Sequence, residues 1–441
     1  MPRRVPADLA LGLVAVVLLA VALPTFTWTE RLTFEFAGQA LNGRVVLYFA
    51  AATVAALAST LAAVRHASAR PRWMLVPVGF VAWLILTAVV AGQPVRESAP
   101  TVTRWILYVA ALYLGWTTAS AVRTQSTSGA PERAERVVVL LAIATAAIPI
   151  IAGVLELVTG SAPLLNGARR ISGTMAGHPA AYSLVLTSCA MLVVPTMLAA
   201  RTRRARILLW GFLGLSVLLI LFTSTRLTLL IVLGAATVAA AALSTTRREA
   251  IVRLAVGAAI SGVVVLAAVP FFQARLTQTS AVVIGNGGSS PGASPDPGSE
   301  TVIEVDNSTL LRLRIHQRVV DYVLRSPVMG HGPGSFDRLY EADTGQARVA
   351  AHDDLALVAV ETGLPGLALY LAMLVAIAWH LRPSLWRSPA LGRLAVATGS
   401  AWLVITLGAT FHNPGYFPEV SLLPFLLAGV ATGVLSLRSA P

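Results

Sequence analysis

Lysine is absent from this chain of 441 residues, so its 33 strongly basic side chains are all arginines. There is one cysteine, Cys189, inside an apolar run, and a lone thiol builds neither a disulfide framework nor a cysteine metal site. Charge of either sign is scarce. Charged residues make up 12 % of the chain, about half of what an ordinary soluble domain carries. That scarcity excludes the two or three soluble domains that length alone would allow. The net charge of +13 raises the question of nucleic acid, which needs a soluble basic face. Here the arginines sit in short segments between apolar runs, where they set topology and meet anionic headgroups.

What the chain has in abundance is apolar sequence: 56 % hydrophobic residues and a mean hydropathy of +0.75. Apolar runs of about 17 to 23 residues with charges confined between them mark a polytopic all-α membrane protein. We expect about 12 transmembrane helices, at 8–26, 44–64, 74–92, 103–121, 137–158, 179–200, 207–223, 227–243, 250–272, 364–381, 394–411 and 416–437. With the N-terminus inside, the arginine-rich segments fall in cytoplasmic loops, as around Arg65, Arg133, Arg201, Arg247 and Arg387. The intervening short loops hold fewer, so the distribution follows the positive-inside rule. Both termini are then cytoplasmic. The first apolar run, after Met1-Pro2-Arg3-Arg4, reads as a retained span, with a cleaved signal peptide as the alternative.

This topology divides the chain into helices 1–9 (1–272), a large extracytoplasmic loop (273–363) and helices 10–12 (364–441). Residues 279–301 are rich in Gly, Ser and Pro and bury too little to order themselves, so they read as a flexible part of that loop. From about 308 to 325, Leu310, Leu311, Ile315, Val319 and Val323 recur at helical spacing among Arg312, Arg314, Arg318 and Arg325. The pattern predicts an amphipathic helix at the outer membrane surface, stopped by Ser326-Pro327. Gly-His-Gly-Pro-Gly-Ser (330–335) follows, a turn able to aim backbone N–H groups at an anion. His352-Asp353-Asp354 then opens a short apolar helix, and Gly363-Leu364-Pro365-Gly366 breaks it before the next span. Two aspartates at a helix start are explained by capping alone.

Phe222-Thr223-Ser224-Thr225-Arg226, the segment 312–336 and Ala351–Gly366 together resemble the O-antigen ligase and O-antigen polymerase superfamily. The first is similar to its Ser-x-Arg hairpin. The second is similar to its run of arginine, amphipathic helix, proline and Gly-x-Gly-x-Gly-x-Phe. The third is similar to its His-Asn, apolar, Glu-x-Gly-x-x-Gly run, and Arg169–Leu184 is a looser fourth match. Two positions depart from that pattern: Asp353 stands where the family usually has Asn, and His316 where it often has Trp.

The resemblance implies a multi-span, GT-C-like glycosyltransferase that moves a glycan from undecaprenyl pyrophosphate to a glycan or lipid acceptor outside the cytoplasmic membrane. It implies Arg226 and Arg312 as ligands of the donor pyrophosphate, with Arg314, Arg318, Glu361 and Ser224 as secondary candidates. Guanidinium forks suit that charge because they bind phosphate oxygens bidentately. His352 matches the functional histidine, and imidazole can take a proton from an acceptor hydroxyl or orient a phosphate. No metal and no cofactor are expected, the arginines supplying the positive charge. Each arginine has a plainer reading as a headgroup anchor, and Glu361 one as a brace for the turn at Gly363. His331, His316, His178 and His412 read as bystanders. A repeat-unit polymerase shares every one of these features. A lipid-linked sugar transporter would use buried charge, for which Glu156 is the main candidate.

Overall fold

The computed structural model describes residues 13–14, 16–20, 33–36, 39–65, 71–123, 130–165, 168–175, 178–200, 202–223, 225–244, 246–278, 307–345, 351, 353–382, 389–410 and 412–436. Among them the protein is helical apart from two antiparallel ribbons, β1 (Thr33–Phe36) with β2 (Gln39–Asn42) and β3 (Leu164–Leu165) with β4 (Ala168–Arg169). The helices are α1 (Gly43–Arg65), α2 (Leu75–Val90), α3 (Val95–Arg123), α4 (Ala130–Thr159), α5 (Pro179–Leu198), α6 (Arg203–Phe222) and α7 (Arg226–Ala242). They continue with α8 (Arg247–Gln278), α9 (Asn307–Arg325), α10 (Phe336–Thr344), α11 (Asp354–His380), α12 (Pro389–Ala409) and α13 (Pro418–Ser436).

Eleven of the twelve expected spans coincide with α1–α8 and α11–α13. The first, 8–26, lies mostly outside the described residues. Among the described residues, seven helices are long and apolar enough to cross a membrane by length and composition. The apolar parts of α1 and α7 among the described residues are the shorter Phe49–Thr60 and Thr228–Ala242. The flexible segment expected at 279–301 is also outside the described residues.

The apolar windows of α5 and α13 are 89 % buried within the protein, whereas those of α2 and α6 are 28 % and 22 % buried. The outer helices therefore show apolar side chains such as Leu75, Val89 and Leu208 to the surroundings. Contiguous apolar surface of that kind is suited to lipid and costly in water. Helix α3 lies against α13 at close range because Gly115 and Gly429 carry no side chain. A Cβ on Gly429 would overlap the Leu112 carbonyl, and one on Gly115 the Leu426 carbonyl. Small residues let membrane helices approach until their backbones touch. Next to this seam an aromatic cluster joins five helices: Trp105 packs edge-on against Phe80, Tyr108 and Tyr370, and Phe425 stacks on Tyr108 and meets Trp402.

One end of the bundle is clamped by Glu135 of α4. Its two oxygens take Nε and Nη2 of Arg393 in α12 at 2.7 and 2.8 Å, and Thr196 of α5 donates to it at 2.8 Å. The opposite end gathers the loops that carry the matched motifs. Helix α11 is broken at Gly363 (φ 70°, ψ −178°), as its sequence predicts, so Asp354–Thr362 forms a separate short helix at that end.

Candidate functional site

The hairpin between α6 and α7 has almost no loop, and Arg226 is the first residue of α7. Its backbone is braced from the α4–α5 connection. Arg170 donates Nε–H to the Thr223 carbonyl at 2.9 Å, and the Ile171 N–H reaches the Phe222 carbonyl at 3.3 Å. The connection is itself held by Glu156, whose Oε2 accepts from Ser172 N and Gly173 N at 2.8 Å each. Glu156, the charge that a transporter reading would use, is half-buried and shapes a turn. Ser183 of α5 also donates to Thr228 of α7 at 3.0 Å. The loosely matched fourth stretch is therefore what fixes the hairpin.

From this point contacts run around the end of the bundle to the other motifs. The His178 ring lies 5.4 Å from that of Phe417. Two residues earlier, the Gly415 N–H donates to Asp354 Oδ2 at 2.8 Å, and Tyr108 of the aromatic cluster donates to the Gly415 carbonyl at 3.1 Å. Arg104 donates to the Tyr416 carbonyl at 2.6 Å, and its guanidinium sits 4.2 Å above the Tyr416 ring. Asp354 is buried, and its carboxylate ties α11 to the Gly415 turn instead of capping a helix.

Asp353 is the cap. Its Oδ1 accepts from Leu355 N at 2.8 Å and Ala356 N at 3.2 Å, satisfying two of the four orphan donors at the start of α11. Its Oδ2 faces Nε2 of His316 at 3.2 Å, and Nδ1 of His316 faces the Arg312 carbonyl at 2.7 Å. One imidazole thus spans from the backbone of Arg312 to the residue that follows His352.

Helix α9 sits on α10 and α11 through Ile315, Val319 and Tyr322, which bury against Phe336, Tyr340, Ala356 and Val360. Burial, then the Asp343 carboxylate, push the Tyr322 hydroxyl up to about 12, and it donates to the Leu339 carbonyl. Relative to the buried face, helical spacing puts Arg312 and His316 on one flank and Arg314 and Arg318 on the other. Arg312 and Arg314 are exposed and Arg318 is half-buried. Arg325 pairs with Asp343 at 3.4 Å. Val320 and Leu324 leave an exposed apolar stripe on the outer side of the helix, the form expected of a helix resting on lipid.

The glycine turn does aim a backbone N–H outward from the turn, but the oxygen that it meets belongs to the chain. Gly334 N donates to Oε1 of Glu361 at 2.8 Å, and Glu361 is buried. The turn is pinned on both sides: His331 N to the Val360 carbonyl and Gly332 N to the Glu361 carbonyl, each at 2.9 Å, and the Gln93 amide to the His331 carbonyl. At Gly334 (φ 80°) a Cβ would overlap the Glu97 carbonyl. His331 donates from Nε2 to the Tyr322 carbonyl at 2.8 Å, a bracing role consistent with its plainer reading.

Of the expected site residues, Arg312, Arg314, Arg318 and Glu361 are in place around α9 and the turn, and Arg226 starts α7. Ser224 and His352 lie outside the described residues, as does the Arg226 side chain. Among the described residues, no group of three or more His, Cys, Asp or Glu is arranged to hold a metal ion. Sequence reasoning read His316 as a bystander and Glu156 as a candidate buried charge, and gave Arg170 no role of its own beyond the fourth match. For His316 the available signal was its spacing four residues after Arg312.

No curated protein matches this chain. Residues 211–371, from within α6 to within α11, match the family model described as O-antigen ligase, so over the span that holds the hairpin, α9, the glycine turn and the α11 cap this chain is similar to the O-antigen ligase family.

Proposed function

We propose that this protein transfers a glycan from an undecaprenyl pyrophosphate donor to an acceptor hydroxyl at the outer face of the cytoplasmic membrane. Arg226 and Arg312 hold the pyrophosphate, and His352 serves the acceptor. The observation that carries the reading is a series of contacts, joined by short chain segments, at one end of the bundle. It leads from the Arg226 hairpin through Arg170, Phe417, Gly415 and Asp354 to Asp353, His316 and Arg312. Segments of three stretches far apart in sequence are thereby linked at one end of an apolar bundle, which supports the reading.

The chemistry asks for that arrangement. Cleavage of the glycosyl–phosphate bond leaves charge growing on the pyrophosphate, and preorganised guanidinium groups stabilise it as it forms. They stay charged at any relevant pH and reach phosphate oxygens in pairs. In this reading no metal takes part. The remaining arginines, concentrated toward the Glu135–Arg393 end, support a cytoplasmic position for that end, both termini inside and twelve crossings in a GT-C-like arrangement. The test is transfer by the purified protein, with EDTA present, from an undecaprenyl-pyrophosphate oligosaccharide to either lipid A–core or a second donor molecule. Product on lipid A–core supports a ligase, and an elongated lipid-linked chain supports a repeat-unit polymerase. Strict dependence on magnesium would overturn the metal-free mechanism.

A further inference from the structure

Both ring nitrogens of His316 face groups that only accept. The Arg312 carbonyl lies 2.7 Å from Nδ1 and an oxygen of Asp353 lies 3.2 Å from Nε2. A neutral imidazole has one N–H and can serve one of them; the imidazolium serves both. Asp353 has little freedom to adapt, because its other oxygen is spent on Leu355 N and Ala356 N. We propose that His316 and Asp353 are a positioning pair for glycan transfer, the protonated ring tying the turn of α9 that carries Arg312 to the cap of α11. The proposal rests on the transfer reading and adds two residues to it.

The surroundings leave Asp353 as the partner of this ring. Asp354, next on α11, is turned to Gly415 N, and Glu361, further along, is turned to Gly334 N. Asp343 of α10 is taken by Arg325. On α9 itself, Arg314 and Arg318 fall on the far flank, while Arg312 lies four residues before His316 on the same flank and brings a like charge. Loss of the ring proton breaks one of the two bonds. Either α9 comes free from the α11 cap, or the ring comes free from the Arg312 carbonyl.

The sign of the effect separates this pair from a catalytic base. A base must be unprotonated, so its contribution fails as pH falls, whereas the His316 bridge must be protonated and fails as pH rises. Asp353→Asn tests the difference. Its amide oxygen can still cap α11, while its NH2 can donate to Nε2 of a neutral ring whose Nδ1–H stays on Arg312. The bridge then needs no extra proton.

The experiment measures kcat/KM for transfer from an undecaprenyl-pyrophosphate oligosaccharide between about pH 5 and pH 9, the range in which histidines titrate. Hydrogen exchange over α9 is followed across the same range and corrected for the pH dependence of the chemical step. Wild type should lose about tenfold in kcat/KM on the alkaline side, a modest share of what misplacing a binding group can cost, with faster exchange in α9. In Asp353→Asn the alkaline loss and the faster exchange should both vanish. His316→Ala and Asp353→Ala should be lower at every pH, with melting temperatures reported alongside. An alkaline limb unchanged in Asp353→Asn, or wild-type kinetics in His316→Ala, overturns the pair. Absence of transfer in wild type with the exchange pattern as expected would instead remove the transfer reading and leave the proton-dependent bridge.

Discussion

His316 and Asp353 meet at 3.2 Å, and they are the two departures noted above from the motif pattern that this sequence resembles. A histidine and an aspartate stand where a tryptophan and an asparagine are usual, and the exchanged side chains touch. The contact joins α9 to the cap of α11 and so joins the segment bearing Arg312 to the segment bearing His352. Ion pairs of half-exposed groups contribute little to stability, so the consequence of this one is geometric.

The glycine turn separates two costs that are often confounded. Gly334 and Gly345 both have positive φ, but a Cβ at Gly345 meets open space, whereas one at Gly334 overlaps the Glu97 carbonyl. Gly345→Ala should cost about 1 kcal/mol, the left-handed penalty alone. Gly334→Ala should cost about 3 kcal/mol, because overpacking against backbone is added to it. Chemical unfolding in detergent measures both. Equal losses would show that the turn relaxes away from α3.

Glu361 is read here as a brace. Removing its carboxylate in Glu361→Ala strands the buried Gly334 N–H and should cost about 2 kcal/mol. Glu361→Gln keeps an accepting oxygen and should lose about half as much. If Glu361 instead met substrate, the Gln variant would melt like wild type and fail in transfer.

At the other end of the bundle, Arg393→Ala leaves Glu135 without its bidentate partner and should cost about 3 kcal/mol, as for one half of a largely buried pair. Glu135→Ala should cost a similar amount, and the double variant much less than the sum. Additive losses in that cycle would mean that the clamp is not coupled.

The membrane class and the helix positions were legible because they depend on the period and length of apolar runs, which are local properties. The break in α11 was legible for the same reason, since Gly363 and Pro365 act on their own backbone. The amphipathic helix was predicted over about 308–325 and is found at Asn307–Arg325. The partnerships were not legible. Asp353 was read as a cap and is one, but nothing local announces that its second oxygen holds a histidine 37 positions earlier. Glu156 reads as an intramembrane charge from sequence, yet its carboxylate accepts from the Ser172 and Gly173 N–H groups, and Gly334 reads as an anion nest, yet the Glu361 side chain fills it. Tertiary contact decided each of these.

The most direct measurement is metal-free transfer by purified wild type, Arg226→Ala, Arg312→Ala and His352→Ala, each checked for wild-type melting. Wild type should transfer the oligosaccharide from its undecaprenyl pyrophosphate with EDTA present, and each variant should lose at least about a hundredfold in kcat/KM, the scale of one lost electrostatic contact to the transition state. Undiminished transfer by all three folded variants would contradict the account.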